Sequence, residues 1–243
     1  YLDDNFIESD AVKIGKTFMD YLKKTKDPRI HVYCSLKDGN TEFDKQFGLP
    51  NGYDSHTIAD APSGSFVGLE NTSNFNINTI LRLDAPTIFL MPSETKLLLA
   101  EAVLRNWTNG NAEVLYKEAI TSSMKEQEIA YGTQGKITDE EIETYLAQNL
   151  FSTANNTEKL QIIGEQYWVA TFINGYESYA NWRRTGYPKL IPTNYSGSMS
   201  PGVIPTRLPY PTDEYSINRA NVDTANQQQG ADKVTTHIWW DID

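Results

Sequence analysis

Between residues 30 and 90, single aromatic side chains alternate with amides and carboxylates. Flat aromatic faces stack on the C–H faces of sugar rings, and amides and carboxylates bond hydroxyls, when both line a concave surface. The segment shows no sustained period of 3.6 residues, so these groups do not form one helical stripe. We expect some of the rings to be local core and others to contact a ligand. The candidate ligand-binding residues are Tyr33, Phe43, Phe47, Asn51, Tyr53, His56 and Phe75.

Patterns for covalent or metal chemistry are missing from the sequence. The three histidines His31, His56 and His237 lie far apart, without metal-ligand spacing to a second histidine or cysteine. No nucleophile elbow, phosphate loop or dinucleotide fingerprint is present. The loop aspartates do not match a calcium-binding loop, and solvated carboxylates are the simpler interpretation; they are Asp38, Asp44, Asp54 and Asp60. We therefore predict no catalytic residue, no metal site and no cofactor.

The composition is that of a folded globular chain that does not bind nucleic acid. Its 243 residues are 39% hydrophobic and 22% charged, with a net charge of −11 that repels phosphate backbones. The single cysteine, Cys34, excludes an internal disulfide and is expected to be a buried thiol. No apolar run reaches the ~18 residues of a membrane-spanning helix. The start at Tyr1, without methionine or a signal-peptide pattern, indicates a processed or truncated chain.

Apolar periodicity and capping residues predict the elements that must position the candidate ligand region. Examples are the capping box of Thr138 with Glu141, and Gly186 as a helix stop. The predicted helices cover residues 10–24, 93–107, 111–127, 139–150 and 157–185. The residues expected to be buried on their apolar stripes are Leu97, Leu104, Leu115, Ala119, Ile163 and Tyr167. We also expect Glu177 to pair with, or cap beside, Arg183 or Arg184 in the same helix.

The predicted fold is mainly α, with one helical hairpin as its clearest unit. Residues 93–127 have the length and small-residue placement of a tetratricopeptide-like pair, although a second copy at a fixed period is not evident. Residues 30–90 form a loop-rich region with short strands. Residues 187–243 are rich in Pro, Gly, Ser and Asn, and we expect an extended segment clamped over the helices.

Several strings, taken in order, resemble a known family. They are Asp27-Pro28-Arg29, the run from Ser93 to Ala102, Glu-x-x-x-x-x-Arg-Arg-Thr-Gly ending at Gly186, the run from Arg207 to Pro211, and Trp239-Trp240-Asp241. Each is weak alone, but their order and spacing are similar to the carboxy-terminal half of SusD/RagB-type nutrient-binding outer-membrane lipoproteins. The resemblance covers most residues after Lys26. It implies a tetratricopeptide-like helical scaffold with a variable loop-rich region.

The resemblance also implies a function and its partners. Members of the family are non-catalytic cell-surface proteins that bind oligosaccharides and deliver them to a SusC-like TonB-dependent transporter in the outer membrane. They are about twice this length, and they are held at the membrane by a lipidated cysteine that this chain lacks. We therefore expect an oligosaccharide ligand, a transporter partner, and contact with the membrane only through an anchor outside this sequence.

Two other classes of function remain open from the residues. A tetratricopeptide-like scaffold can take a protein or peptide as its main ligand, in a helical or extended form. A glycoside hydrolase needs only two carboxylates at a suitable separation, and 32 acidic residues offer many pairs. Product release from a glycan would distinguish the hydrolase, and peptide binding would distinguish the scaffold.

Overall fold

The computed structural model describes residues 12–54, 56–151, 153–195 and 197–241. In these residues the chain is mainly helical, with one antiparallel pair of two-residue strands. The helices are α1 (Lys16–Thr25), α2 (Ile30–Tyr33), α3 (Pro92–Leu104), α4 (Ala112–Tyr131), α5 (Asp139–Gln148), α6 (Asn156–Ala170), α7 (Gly175–Thr185), α8 (Thr212–Ile217) and α9 (Arg219–Gln229). The strands are β1 (Cys34–Ser35) and β2 (Asn74–Phe75). The mainly α prediction is confirmed.

The predicted helical hairpin is present as α3 and α4, which pack on each other and on α6. Ser93, at the start of α3, donates its hydroxyl to Glu126 near the end of α4 at 2.6 Å, so the two helices run antiparallel. Pro92 occupies the first turn of α3, where its missing N–H costs nothing. The Asn111 side chain accepts the first free N–H groups of α4. Capping of the helix ends and burial of one helical face therefore both stabilise the hairpin.

The long helix predicted over residues 157–185 is wrong, because the chain forms two helices there. The Thr171 hydroxyl donates to the Tyr167 carbonyl at 2.8 Å and lies 2.7 Å from the Ser178 hydroxyl. Asn174 then accepts the Glu177 N–H and begins α7. Thr and Asn side chains that bond to nearby backbone favour helix ends over helix interiors. Helix α6 therefore ends at Ala170, and a separate helix, α7, follows it.

The first helix begins later than predicted. Residues 10 and 11 lie outside the described residues, and helix α1 starts at Lys16. Immediately before it, Ile14 donates its N–H to the Ser73 carbonyl at 2.8 Å and accepts the Leu49 N–H at 2.7 Å. Because these backbone groups pair with distant segments, they are not available for helical hydrogen bonds. The apolar spacing there marks buried extended chain.

Residues 30–90 form the expected loop-rich region with short strands. β1 pairs with β2 so that Cys34 lies opposite Phe75 and Ser35 opposite Asn74. Cys34 is fully buried, as predicted, and burial raises the pKa of its thiol. A short helix, α2, which was not predicted, precedes β1.

The carboxy-terminal segment departs from its prediction as an extended chain. It contains α8 and α9, and the described residues on either side of them form turns and irregular chain. Helix α9 was not predicted, because Val222 is its one buried residue. A polar helix with a single buried side chain has no apolar stripe that a periodicity analysis can find.

Burial agrees with most of the predicted core. Leu97, Ala119, Ile163 and Tyr167 are buried. Leu104 and Leu115 are only half-buried, which corrects the prediction for both. They lie next to the turn between α3 and α4, close to the exposed residues 106–111.

A buried ion pair ties the first helices to the rest of the scaffold. The Arg29 Nε donates to Asp27 Oδ1 at 2.9 Å, and both side chains are fully buried. Arg29 also donates to Ser123 of α4 at 2.9 Å and to Gln166 of α6 at 2.7 Å. Gln166 in turn donates to the Tyr145 hydroxyl of α5 at 2.7 Å. One guanidinium therefore links three separate helices.

We expect Leu97→Ala to lower the free energy of unfolding by about 2–5 kcal/mol, because the truncation leaves a cavity between α3 and its neighbours. Leu98→Ala on the same helix is the matched control; Leu98 is 41% exposed, and its truncation should cost about 0.5 kcal/mol. Urea unfolding followed by circular dichroism measures both. Equal losses for the two variants would contradict the assigned face of α3.

Arg29→Met should lower the free energy of unfolding by about 3–5 kcal/mol, since it leaves the Asp27 carboxylate buried without its partner. The control is Arg219→Met, which removes an exposed ion pair with Asp223 and should cost about 0–1 kcal/mol. The double variant Asp27→Asn with Arg29→Met should recover part of the loss, because it leaves no buried charge. A double variant less stable than Arg29→Met would argue against this account.

Candidate functional site

A continuous surface groove runs between the start of α1, residues 50–53, and residues within 190–194 and 198–205. It consists of two adjoining cavities of about 500 Å³ and 480 Å³. The residues that line both cavities are Thr17, Asn51, Ile191, Pro192 and Thr193. The groove therefore combines hydroxyl and amide groups with apolar walls, and each cavity lies within the range of about 300–1,000 Å³ typical of small-molecule sites.

The floor of the groove carries the indole ring of Trp168, from α6. Its ring meets the Phe18 ring edge to face, with centroids 4.9 Å apart. Phe18 is in turn stacked on Phe172 at 4.4 Å with nearly parallel planes. This packing fixes the rotamer of Trp168. The half-buried indole therefore presents an ordered aromatic surface to the groove. Ordered aromatic surfaces bind at a low entropic cost.

Close backbone approach positions one wall of the groove against α1. The Lys16 N–H donates to the Leu49 carbonyl at 2.7 Å. A Cβ on Gly48 would lie 2.4 Å from the Lys16 Cα, so only glycine fits at this crossing. At the next turn Gly52 has φ of +87°, and a Cβ there would lie 2.9 Å from the Thr193 Cβ. These two glycines allow the loop to contact both α1 and the carboxy-terminal segment.

A hydrogen bond between Asp54 and Tyr195 ties the two walls together. The Tyr195 hydroxyl donates to Asp54 Oδ2 at 2.6 Å. Asp54 Oδ1 accepts the backbone N–H groups of His56 and Thr57 and the Thr57 hydroxyl, each at 2.9 Å. The bond from Tyr195, followed by the bonds from His56 and Thr57, lowers the pKa of Asp54 to about 2. The carboxylate is therefore ionised, and each of its oxygens accepts at least one hydrogen bond from the protein.

Apart from the groove, a further cavity of about 480 Å³, which we call the second cavity, lies on the other side of the same loop. Its walls are mostly apolar, and two carboxylates stand among its lining residues. These residues are Leu49, Tyr53, Asp54, Ile58, Phe66, Gly68, Leu69 and Glu70. Tyr53 lines this cavity and also the groove, so the two spaces adjoin at this residue.

The structure brings only part of the predicted ligand set together. Asn51 and Tyr53 line the groove, and the Asn51 amide donates to the Thr17 hydroxyl at 3.3 Å. His56 lies beyond them on the surface, with Nδ1 4.0 Å from Asp54 Oδ1. These three residues share one loop, as the sequence predicted.

The other four predicted residues do not line the groove. Tyr33 is 3% exposed and donates its hydroxyl to the Val169 carbonyl at 3.3 Å, so it is a core residue. Phe43 and Phe75 are partly buried and pack against the core. Phe47 is 41% exposed, but the Lys23 ammonium lies 4.3 Å from its ring centroid. Three of these four aromatic residues therefore pack into or against the core.

Sequence reasoning missed the groove residues that come from helices and from the carboxy-terminal segment. Trp168 falls inside the helix predicted over residues 157–185 and was not considered for the site, and Thr17 belongs to α1. Residues 187–243 were interpreted as a clamp over the helices, and residues within 190–193 and 198–205 of that segment form a wall of the groove. No motif or period in the sequence marked these positions.

No group of three or more side chains suited to holding a metal ion occurs among the residues that the structure describes. Within the same residues, no helix is both long enough and apolar enough to cross a bilayer. Of the four loop aspartates considered for calcium, Asp54 has its oxygens occupied by protein donors.

A helical-hairpin scaffold that carries a partly aromatic, hydroxyl-lined groove defines a class of ligand-binding proteins. The chain belongs to the SusD-like family described as starch-binding and associating with the outer membrane, whose model matches residues 4–211. This assignment confirms the predicted family. The family description names binding and membrane association, in agreement with the prediction of a non-enzyme.

Solved structures agree with this assignment. The chain is similar to a chitin-binding protein with 30% identity and a TM-score of 0.74, covering 94% of this chain and 50% of that one. It is similar to a SusD homologue from Bacteroides fragilis NCTC 9343 with 26% identity and a TM-score of 0.76, covering 95% and 52%. A chitin-binding SusD homologue from Flavobacterium johnsoniae has 25% identity and a TM-score of 0.73, with 98% and 52% covered.

The chain spans about half the length of these solved relatives. A comparison with curated proteins found no match.

Tyr195→Phe should raise the pKa of Asp54 from about 2 toward its ordinary range, because the variant removes the strongest donor to the carboxylate. The lowered pKa means that this contribution to stability is complete above about pH 3.9, the ordinary value, and is lost as the pH falls through the folded pKa. Carboxyl chemical shifts followed by NMR measure the change. Asp139, whose pKa is lowered by Lys125, is the internal control and should not move. An unchanged Asp54 would refute the bond.

Proposed function

We propose that this chain binds an oligosaccharide, without cleaving it, in the groove between residues 50–53 and 190–193. The observation that supports the proposal is the ordered indole of Trp168, which lies beside the hydroxyls and amides of the groove. A flat apolar surface for the sugar face, with polar groups around it for the hydroxyls, is what a carbohydrate requires. The family description and the two chitin-binding neighbours support the same ligand class.

The groove lacks the acid–base pair that a glycoside hydrolase needs. Such enzymes use a carboxylic acid with a raised pKa to protonate the leaving oxygen. Asp20, on the groove, forms an ion pair with Lys16 at 2.7 Å. Asp54, behind it, has its pKa lowered to about 2, which is the wrong direction for a general acid. These environments favour binding over hydrolysis.

We further propose that the full protein acts at the cell surface, attached to the outer membrane by a lipid anchor, and passes its ligand to a SusC-like TonB-dependent transporter. The support is the family's description as associating with the outer membrane. Isolation of the native protein from outer membranes, followed by identification of the proteins that co-purify with it, tests this. Recovery without any transporter would count against delivery.

The test of binding is affinity electrophoresis of the 243-residue chain in gels containing soluble starch, together with pull-down on insoluble chitin. Trp168→Ala should lower affinity about tenfold, or about 1.4 kcal/mol, by removing the stacking surface. Trp107→Ala is the matched control, because Trp107 is 70% exposed and does not line the groove. Since Trp168 also packs on Phe18, Asn51→Ala is a second variant that leaves this packing intact.

Three outcomes would contradict the proposal. Release of reducing ends during an overnight incubation would indicate a hydrolase. Tighter binding of an extended peptide than of any glycan would favour the peptide-binding scaffold. Unchanged glycan affinity in both groove variants would place the site elsewhere. Circular dichroism of each variant confirms that the fold is retained.

A further inference from the structure

The second cavity differs from the groove in the chemistry of its walls. Leu49, Ile58, Phe66 and Leu69 supply hydrocarbon surface on most sides. Apart from backbone groups, its polar lining is limited to the Tyr53 phenol and two carboxylates. A sugar that presented only hydroxyls here would leave several of them without partners, and unpaired polar groups in an apolar site are costly. The cavity therefore favours a group with its own apolar surface.

The two carboxylates of the cavity already accept hydrogen bonds from protein donors. Asp54 accepts four hydrogen bonds from His56, Thr57 and Tyr195, which already stabilise its charge. The Glu70 Oε1 accepts the Asn71 amide at 3.0 Å and lies over Gly68 at the edge of the cavity. An ammonium group would have to compete with these protein donors. A neutral ligand group does not need to.

Tyr53 connects the cavity with the groove. Tyr53 lines both spaces, so one ligand bound beside this residue can extend into both. The cavity volume of about 480 Å³ accommodates a sugar residue together with a small substituent. The groove continues from the same ring toward Ile191 and Thr193.

We propose that the second cavity binds the acyl substituent of a sugar residue, an N-acetyl or O-acetyl group, while the rest of the oligosaccharide lies in the groove. The proposal rests on the proposed function and gives that function a ligand class. The acetyl methyl contacts Ile58, Phe66 and Leu69, and the sugar ring that bears it lies against Tyr53. Acylated glycans are bound in preference to the same glycans without acyl groups.

The experiment compares oligosaccharides that differ only in this substituent, by isothermal titration calorimetry. The probes are chitohexaose, cellohexaose and the glucosamine hexamer, which share one linkage and carry acetamide, hydroxyl or amine groups at C2. Acetylated and unsubstituted xylohexaose, and acetylated and unsubstituted maltohexaose, extend the comparison to other backbones. We expect the acetylated member of at least one set to bind about tenfold more tightly, since a single buried methyl-sized group discriminates by this factor or more.

Leu69→Asn tests the cavity directly. Leu69 is 52% exposed, so the substitution does not disturb the core. It should reduce affinity for the acetylated ligand to that of the unsubstituted one and leave the unsubstituted ligand unchanged. Leu208→Asn makes the same chemical change at an exposed position that lines neither space, and it should alter neither affinity.

The outcomes separate this inference from the function on which it rests. Equal binding of acetylated and unsubstituted members, with loss of both in Asn51→Ala, would overturn the acyl site and leave glycan binding in place. Tighter binding of the amine would also overturn it, in favour of the carboxylates as the recognition groups. If Leu69→Asn weakened binding of the acetylated and the unsubstituted ligand equally, this result would also overturn the acyl site. Failure to bind any probe or polysaccharide would reject the proposed function itself.

Discussion

The buried pair of Asp27 and Arg29 is the interaction on which the arrangement of the helices depends. Burial opposes the charge on Arg29, but the adjacent Asp27 carboxylate raises the pKa of the guanidinium above its usual value. A buried charge is tolerated only when its hydrogen bonds are satisfied, so Arg29 requires Ser123 and Gln166 at fixed positions. Apolar packing between smooth helical faces would permit sliding. The directional hydrogen bonds from Arg29 to α4 and α6 do not permit such sliding.

The same network reaches the groove through α6. Gln166 and Trp168 are two residues apart on one helix, and both contact Tyr21: Gln166 donates to its hydroxyl, and Trp168 meets its ring edge to face while also packing on Phe18. The position of the indole is therefore set by the helix that Arg29 holds. On the opposite side, the groove wall depends on weaker constraints, which are a glycine crossing at Lys16 and a phenol–carboxylate bond at Asp54. The floor is rigid, and the walls belong to loops.

The sequence was informative where a structure is encoded by neighbours along the chain. The capping box of Thr138 and Glu141 is present, and the predicted α3–α4 hairpin is confirmed, because capping and apolar period act within a few residues. The predicted pairing of Glu177 with Arg183 or Arg184 was wrong: Glu177 accepts the Tyr167 hydroxyl at 2.7 Å, and Arg184 bonds across to Glu101 of α3 at 2.7 Å. Charged side chains choose partners in space, which a single sequence does not specify.

The candidate site shows why aromatic residues in loops are ambiguous. Residues 30–90 have little regular hydrogen bonding beyond α2 and the β1–β2 pair, and therefore rings such as Tyr33 and Phe75 hold this region against the helices. Alternation with amides looks the same in sequence whether a ring anchors a loop or faces a ligand. Only the fold separates Tyr33 from Tyr53, since the first stacks on Phe172 and the second stands between two cavities. Recognition can then be divided between them, because a hydroxyl-lined groove accepts many sugars and an apolar cavity beside it selects among them by substituent.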